Sequence, residues 1–157
     1  MTTERARHIT TVGAALIAAA SCGSPSARNG NDPELDAFLA SYFSTWSAGD
    51  MKAYRAHFHE RAVVTVMRDG VVAPWTSRDR FVDQQRLIRE RSTMRSVERM
   101  TSYVADRDEK SATVVAQWKL TRGAGVDREV SRGVDRFTLV RNDAGEWRIV
   151  VLLFYTN

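Results

Sequence analysis

The sequence predicts an α+β domain in which three N-terminal helices pack on one face of a strongly curved antiparallel sheet. Helical patterns occupy the first half of the domain, and residues after Met94 have the alternating pattern of strands. Four strand-like runs, at 94–105, 112–122, 128–141 and 147–156, are separated by short turn-forming clusters. Helices followed by strands, instead of alternating with them, indicate the α+β class.

The first helix is predicted to begin at Asp32, which is a capping residue followed by a proline. Gly49 is suited to end it, and Asp50 to cap a second helix with Met51, Tyr54 and Phe58 on its inner side. Apolar residues recur at helical spacing along one broad face of the first helix, which must therefore be buried. They are Leu35, Phe38, Leu39, Tyr42, Phe43 and Trp46.

A short hairpin and a third helix come next. Residues 62–67 are rich in β-branched side chains, which predicts a strand. Residues 68–70 (Arg-Asp-Gly) predict the turn after it. Residues 76–79 (Thr-Ser-Arg-Asp) resemble a capping box, so we expect a third helix from there to about Ser92.

Alternation in the later strands predicts which side chains face the helices. In the third run, the apolar residues Phe137 and Leu139 are expected to face the helices. Asp135 occupies the same alternate positions and is therefore expected to face them as well. In the second run the inward set is Ala112, Val114, Ala116, Trp118 and Leu120.

The last run, from Ile149 to Tyr155, is apolar on both parities, although a strand with water on one side should not be. Its outer face therefore requires a cover. The same face of a second copy would supply one and give an isologous homodimer through the sheet. A monomer with a scattered apolar exterior is the alternative.

The N-terminus has the composition of an export signal: a charged opening, an apolar run at residues 9–20 and small residues after it. We predict a signal peptide over 1–21; a buried N-terminal helix is the alternative. The run is too short to span a bilayer as a mature helix.

Residues 19–22 (Ala-Ala-Ser-Cys) resemble a bacterial lipobox, which makes Cys22, the only cysteine in the sequence, the predicted lipid attachment point. Residues 22–31 are rich in Gly, Ser and Asn and are predicted to form a flexible tether, with the folded domain over 32–157. The protein is then expected in the bacterial cell envelope, anchored to a membrane by lipid alone. Cleavage by the ordinary signal peptidase, giving a soluble periplasmic or secreted protein, is the alternative.

The charges of the chain have the pattern of a solvated surface. The formal net charge of +4 is spread over alternating signs, without the basic stripe that nucleic-acid binding requires. His57 and His59 diverge by about 200° on a helix and cannot hold one metal ion. We therefore predict no nucleic-acid partner, no metal and no cofactor.

The order of elements, with SYFSTWSAGDMKAYRAHFHERAVV at the start and GVDRFTLVRNDAGEWRIVVLLFY at the end, resembles the NTF2-like superfamily, specifically its SnoaL-like and DUF4440-like branches. The resemblance implies a cone-shaped α+β fold with a cavity between sheet and helices. It also implies frequent dimerisation through the sheet. Because relatives include enzymes, binders and assembly domains, function has to be argued from the cavity residues.

Aromatic residues near the open end of this cone are the predicted ligand contacts, although for tryptophan and tyrosine ordinary core packing is the more common role. They are Tyr54, Trp75, Trp118, Phe137 and Tyr155.

Asp135 is the candidate catalytic residue, because a carboxyl group among apolar neighbours acquires a raised pKa that suits a general acid or base. His57 or a tyrosine is expected to assist it. A salt bridge to a neighbouring arginine, or outward orientation, is the alternative for Asp135.

Three functions follow as hypotheses. The first is an exported domain that binds a small, largely apolar molecule in its cone, with catalysis undecided. The second is a cofactor-independent lyase, isomerase or hydrolase that uses the cavity aspartate. The third is a protein-interaction or assembly module of the cell envelope whose cone is filled by its own side chains.

Overall fold

The structure is a computed structural model that describes residues 28–29 and 32–156. The predicted signal peptide and Cys22 lie outside the described residues. Within the segment 22–31, predicted as a tether, Arg28–Asn29 forms a short strand (β1). In the described part of the chain, no helix is long and apolar enough to cross a membrane.

Three α-helices lie in the first part of the domain: α1 (Pro33–Ala48), α2 (Met51–Ala56) and α3 (Arg78–Arg91). The Asp32 carboxylate accepts hydrogen bonds from two backbone N–H groups of the first turn of α1, as a capping residue should. Gly49 ends α1 with a φ of 77°, which is the left-handed conformation that favours glycine. The predicted capping roles of these two residues are confirmed.

The strands that follow are long and, in the later part of the chain, consecutive. They are β2 (Phe58–Arg68), β3 (Val71–Val72), β4 (Thr76–Ser77), β5 (Ser96–Arg107), β6 (Ser111–Arg122), β7 (Glu129–Arg141) and β8 (Trp147–Thr156). Phe58 therefore begins a strand and does not belong to the second helix. The strand extends back to Phe58 because α2 ends after six residues.

The sheet has the strand order β1-β5-β6-β7-β8-β2-β3, and β4 also pairs with β2. The prediction of an antiparallel sheet is correct for β5 to β8 but wrong at one junction, because β2 and β8 are parallel. These two strands are far apart in the chain, so no hairpin turn dictates their relative direction. The sheet is therefore mixed.

A β-bulge interrupts β8. Leu139 of β7 pairs with Ile149 and Thr138 with Val151, which leaves Val150 as an extra residue. A bulge of this kind bends the strand and changes the phase of its side chains.

The bulge reverses which residues of β8 face the helices. Trp147 and Ile149 are buried before it, whereas Leu152 is buried and Phe154 faces inward after it. Tyr155 consequently lies on the outer face of the sheet, where the Arg136 guanidinium group is 5.6 Å from its ring. The apolar character of both parities of this strand is explained in part by this change of phase.

The core fills the space between α1, α2 and the concave face of the sheet. The five residues of β6 predicted to face inward are all buried, and so are Asp135, Phe137 and Leu139 of β7. The predicted inward phases of these two strands are confirmed.

Candidate functional site

A small chamber of about 150 Å³ remains between the helices and the concave face of the sheet. Its walls include several aromatic rings, and its polar groups come from seven different elements. The polar and indole side chains that line it are Tyr42, Trp46, Tyr54, Arg68, Gln85, Glu98, Trp118, Arg122 and Asp135.

Asp135 is the most deeply buried carboxyl group of the chamber, with an exposed fraction of 4%. The Trp118 indole N–H donates a hydrogen bond of 2.7 Å to its Oδ1 atom. Burial raises the pKa of Asp135 to about 7, although hydrogen bonds with Trp118 and Tyr42 act in the opposite direction. A carboxyl group with this pKa exchanges protons readily at neutral pH.

The position of Trp118 depends on the absence of a side chain at Gly133, its partner across the two strands. A Cβ atom built on Gly133 would lie 2.1 Å from the indole and 2.3 Å from the Tyr155 carbonyl oxygen. Glycine is therefore required here by close approach. It leaves space for the indole that holds Asp135.

Tyr42 and Tyr54 form a second polar group in the chamber. Their hydroxyl groups are 2.9 Å apart, with Tyr54 donating to Tyr42. Burial raises the pKa of both phenols well above the usual value, so both remain protonated at neutral pH. The pair joins α2 to α1, and Tyr42 is near enough to Asp135 to lower the pKa of its carboxyl group.

Glu98 of β5 is a second carboxyl group in the chamber that the sequence analysis did not identify. Burial raises its pKa well above the usual value, and the negative charge of Asp135 raises it further. Met100 pairs with Trp118 and Ser102 with Gln117, so Thr101 is an extra residue that changes the phase of β5. Simple alternation from the buried residues Tyr103 and Ala105 would place Glu98 on the outer face. The extra residue at Thr101 shifts the alternation by one position and turns Glu98 inward, which the sequence of this strand does not reveal.

A larger cleft of about 580 Å³ adjoins the chamber. It lies between α3, β2 and the segment from Ala73 to Thr76, and Phe81, Gln85 and Phe154 line both spaces. Trp75, predicted at the mouth of the cone, lines this cleft with an exposed fraction of 56%. We call this space the outer cleft.

The remaining predicted site residues lie elsewhere. Phe137 is buried behind the chamber, with its ring centroid 5.1 Å from that of Tyr42. Tyr155 was predicted to line the cavity, and this orientation is wrong because the bulge at Val150 turns it to the outer face.

His57 was predicted to face the cavity, but it lines neither the chamber nor the outer cleft. Its Nε2 atom lies 3.0 Å from the Ser41 hydroxyl oxygen, and the centroid of its ring lies 5.4 Å from that of the Phe38 ring. Burial lowers the pKa of His57, which favours the neutral form. The residue follows the end of α2 and faces α1, so the structure does not bring it to Asp135.

Metal ligands are not clustered at this site. Among residues 28–29 and 32–156, no group of three or more His, Cys, Asp or Glu side chains is arranged to hold a metal ion. The chamber itself is lined by two carboxyl groups, two phenols, two indoles, two guanidinium groups and one amide.

A curved sheet that encloses a lined chamber against three helices defines the cone-shaped α+β class of proteins. The chain belongs to the family described as NTF2-like protein (DUF6841), whose model matches residues 33–157. The NTF2-like resemblance seen in the sequence is thereby confirmed. No curated protein sequence matches the chain.

Solved structures share this fold at low sequence identity. The β subunit of the benzoate 1,2-dioxygenase from Burkholderia mallei is 16% identical with a TM-score of 0.68, covering 81% of this chain and 91% of that one. ActVI-ORFA from Streptomyces coelicolor is 15% identical with a TM-score of 0.67, covering 80% and 96%. A protein of unknown function from Mycobacterium tuberculosis is 19% identical with a TM-score of 0.66, covering 80% and 70%. At these identities the likeness concerns the fold alone.

Proposed function

We propose that this domain binds a small, largely apolar molecule in the chamber and the outer cleft. The observation that supports the proposal best is that the two spaces share lining residues and that apolar atoms form most of their walls, with polar groups among them. This is the usual composition of a small-molecule pocket, and the outer cleft lies within the usual range of about 300–1,000 Å³.

A thermal-shift screen of small hydrophobic compounds tests the binding proposal. Ile88 lines both spaces, and Ile88→Trp should narrow the passage between them. We expect compounds that raise the melting temperature of the wild type to have little effect on Ile88→Trp. Val126→Trp is the matched control, because Val126 is fully exposed on a turn. Equal stabilisation of Ile88→Trp, or no stabilising compound at all, would contradict the proposal.

Proton transfer by Asp135 is the second candidate function, as a lyase, isomerase or hydrolase without a cofactor. The raised pKa of this buried carboxyl group supports it, together with the neutral Tyr42 and Tyr54 hydroxyl groups beside it. The tyrosines take the assisting position here, because His57 does not line the chamber.

Hydrogen exchange in bound ligands tests this chemistry without a known substrate. Compounds found in the screen that carry an acidic C–H group are incubated with the protein in D₂O and followed by NMR. We expect exchange with the wild type, and loss of exchange with Asp135→Asn at unchanged affinity. Equal exchange rates with the two proteins would exclude Asp135 as the acid or base.

The assembly-module hypothesis requires a cone that is closed by its own side chains. Trp118 and Phe137 are buried, but Tyr155 lies on the opposite face of the sheet and the chamber retains about 150 Å³. These observations support small-molecule binding over a filled cone.

We also propose export with lipid attachment at Cys22, as the N-terminal sequence indicates. Metabolic labelling with a palmitate analogue tests it. The label should be found on the wild type and be absent from Cys22→Ser. Persistence of the label in Cys22→Ser would exclude this residue as the attachment point.

A further inference from the structure

The charged side chains that line the outer cleft are all positive. Arg68, Arg80 and Arg91 line it, whereas no Asp or Glu does. Within the described residues, none of these three guanidinium groups forms an ion pair. They are therefore available to a negatively charged molecule.

Arginines on the rest of α3 and on α2 are arranged differently. Arg55 and Arg78 both pair with Asp79, and Arg86 pairs with Glu90. These ion pairs lie outside the lining of the outer cleft. Arg89 of α3 also forms no ion pair, but its guanidinium group donates to two backbone carbonyl oxygens. Among the described residues, no such partner is found for the side chains of the three cleft arginines.

The walls of the outer cleft suit an apolar body of limited size. Trp75 and Ile88 are more than half exposed and line it together with Phe154. The Thr76 Oγ1 atom, also on this wall, is buried without a hydrogen-bond partner among the described residues. A buried polar atom of this kind is normally satisfied by water or by a ligand.

We propose that the outer cleft binds a small aromatic or alicyclic carboxylic acid as its anion. The carboxylate lies against a cleft arginine, and the apolar body lies against Trp75, Ile88 and Phe154. The chamber, in contrast, is lined by the buried carboxyl groups of Glu98 and Asp135 as well as by Arg68 and Arg122, so only the outer cleft has charged side chains that are all positive. This inference rests on the proposed binding function and adds the charge of the ligand to it.

The cleft arginines cannot all reach one carboxylate. Arg80 and Arg91 are eleven residues apart on α3, which is about 16 Å along the helix axis. One carboxylate therefore binds at one end of the cleft, and single substitutions identify the end.

Titration calorimetry with 2-naphthoate and 2-naphthylmethanol tests the proposal, because the two probes share a ring system and differ in charge. We expect the wild type to bind 2-naphthoate about tenfold more tightly, as one charge-assisted contact allows. The triple variant Arg68→Gln/Arg80→Gln/Arg91→Gln should bind both probes with equal affinity.

A control with the same change in net charge is Arg99→Gln/Arg128→Gln/Arg132→Gln, at exposed positions that do not line the cleft. It should retain the preference of the wild type. Equal binding of the two probes by the wild type, or an equal loss of preference in the control, would overturn the charge selectivity and leave the binding function intact. Failure of both probes to bind would overturn the anion site and count against the binding function as well.

Discussion

Among single residues, Asp135 determines most of the chemistry that the chamber offers. Its carboxyl group is buried, is hydrogen-bonded to Trp118 and has a pKa of about 7. The same shift makes the stability of the fold depend on pH, because an unfolded aspartate has a pKa close to 3.8.

The contribution of Asp135 to the unfolding free energy should fall as the pH rises from about 4 to about 7. Between these values the folded protein binds a proton that the unfolded chain releases, so the stabilisation is complete at low pH and lost through pH 7. Asp135→Asn keeps the shape but cannot titrate. Denaturant unfolding of the two proteins over this range measures the effect. The unfolding free energy of the wild type, relative to that of Asp135→Asn, should fall by a few kcal/mol as the pH rises. His57 titrates in both proteins, and so does Glu98, except that in the variant Glu98 loses the part of its pKa shift that the Asp135 charge causes. A difference that stays constant over this pH range would contradict the assignment to Asp135.

Gly133 is the second residue with a consequence that can be measured. In Gly133→Ala the new Cβ atom would overlap the Trp118 indole and the Tyr155 carbonyl oxygen, so the strand or the indole must shift. We expect the unfolding free energy to fall by about 1–3 kcal/mol, as in overpacked cores. Ser131→Ala, two residues away on the same face of β7, should change it by less than about 0.5 kcal/mol. If chemical denaturation gives equal losses for Gly133→Ala and Ser131→Ala, the close contact of the Trp118 indole with position 133 is not the reason that glycine is required there.

Between elements, Arg89 of α3 connects α1 to β5. Its guanidinium group donates to the Ser47 carbonyl oxygen at 2.7 Å and to the Ser96 carbonyl oxygen at 3.0 Å. It also lies 4.9 Å from the centroid of the Trp46 ring. These contacts fix α3 beside the chamber.

Arg89→Gln should lower the unfolding free energy by about 1–3 kcal/mol, because two carbonyl groups lose a charged donor. Arg86→Gln, one turn earlier, removes only exposed ion pairs with Asp83 and Glu90 and should change the unfolding free energy by less than about 1 kcal/mol. Chemical denaturation of the two variants measures the difference. A loss in Arg86→Gln as large as that in Arg89→Gln would contradict a bridging role for Arg89.

The elements also show how far the site could be predicted from the sequence. Trp118 and Asp135 lie on β6 and β7, where pairing is uninterrupted at these positions and alternation correctly assigns the inner face. Glu98 and Tyr155 lie on strands with bulges at Thr101 and Val150. A bulge depends on pairing with the neighbouring strand, so the residues of one strand alone do not reveal the change of phase. The caps at Asp32 and Gly49 were predictable because they depend on local hydrogen bonds.

For the whole molecule, the outer face of the sheet remains a candidate dimer interface. Val115, Val134 and Leu153 lie there on neighbouring strands, and each is partly exposed. We propose an isologous homodimer that covers this face.

Val134→Lys places a charge in the centre of the proposed interface, next to Tyr155 across the strand pair. We expect sedimentation velocity to show a dimer for the wild type and a monomer for this variant, because two buried like charges oppose association. Val126→Lys changes a fully exposed valine and should remain dimeric. A monomeric wild type at micromolar concentration would rule out this dimer.

The parallel pairing of β2 with β8 has a consequence for how the chain acquires its structure during synthesis. Because β8 lies between β7 and β2, the last strand in chain order is an interior strand of the sheet. Leu152 of β8 is fully buried and pairs with Val64 of β2 and Phe137 of β7, so these two residues lack their neighbour while Trp147–Thr156 is still inside the ribosome. Such exposed surfaces favour aggregation. The nascent domain is therefore expected to depend on chaperones until synthesis of this strand is complete.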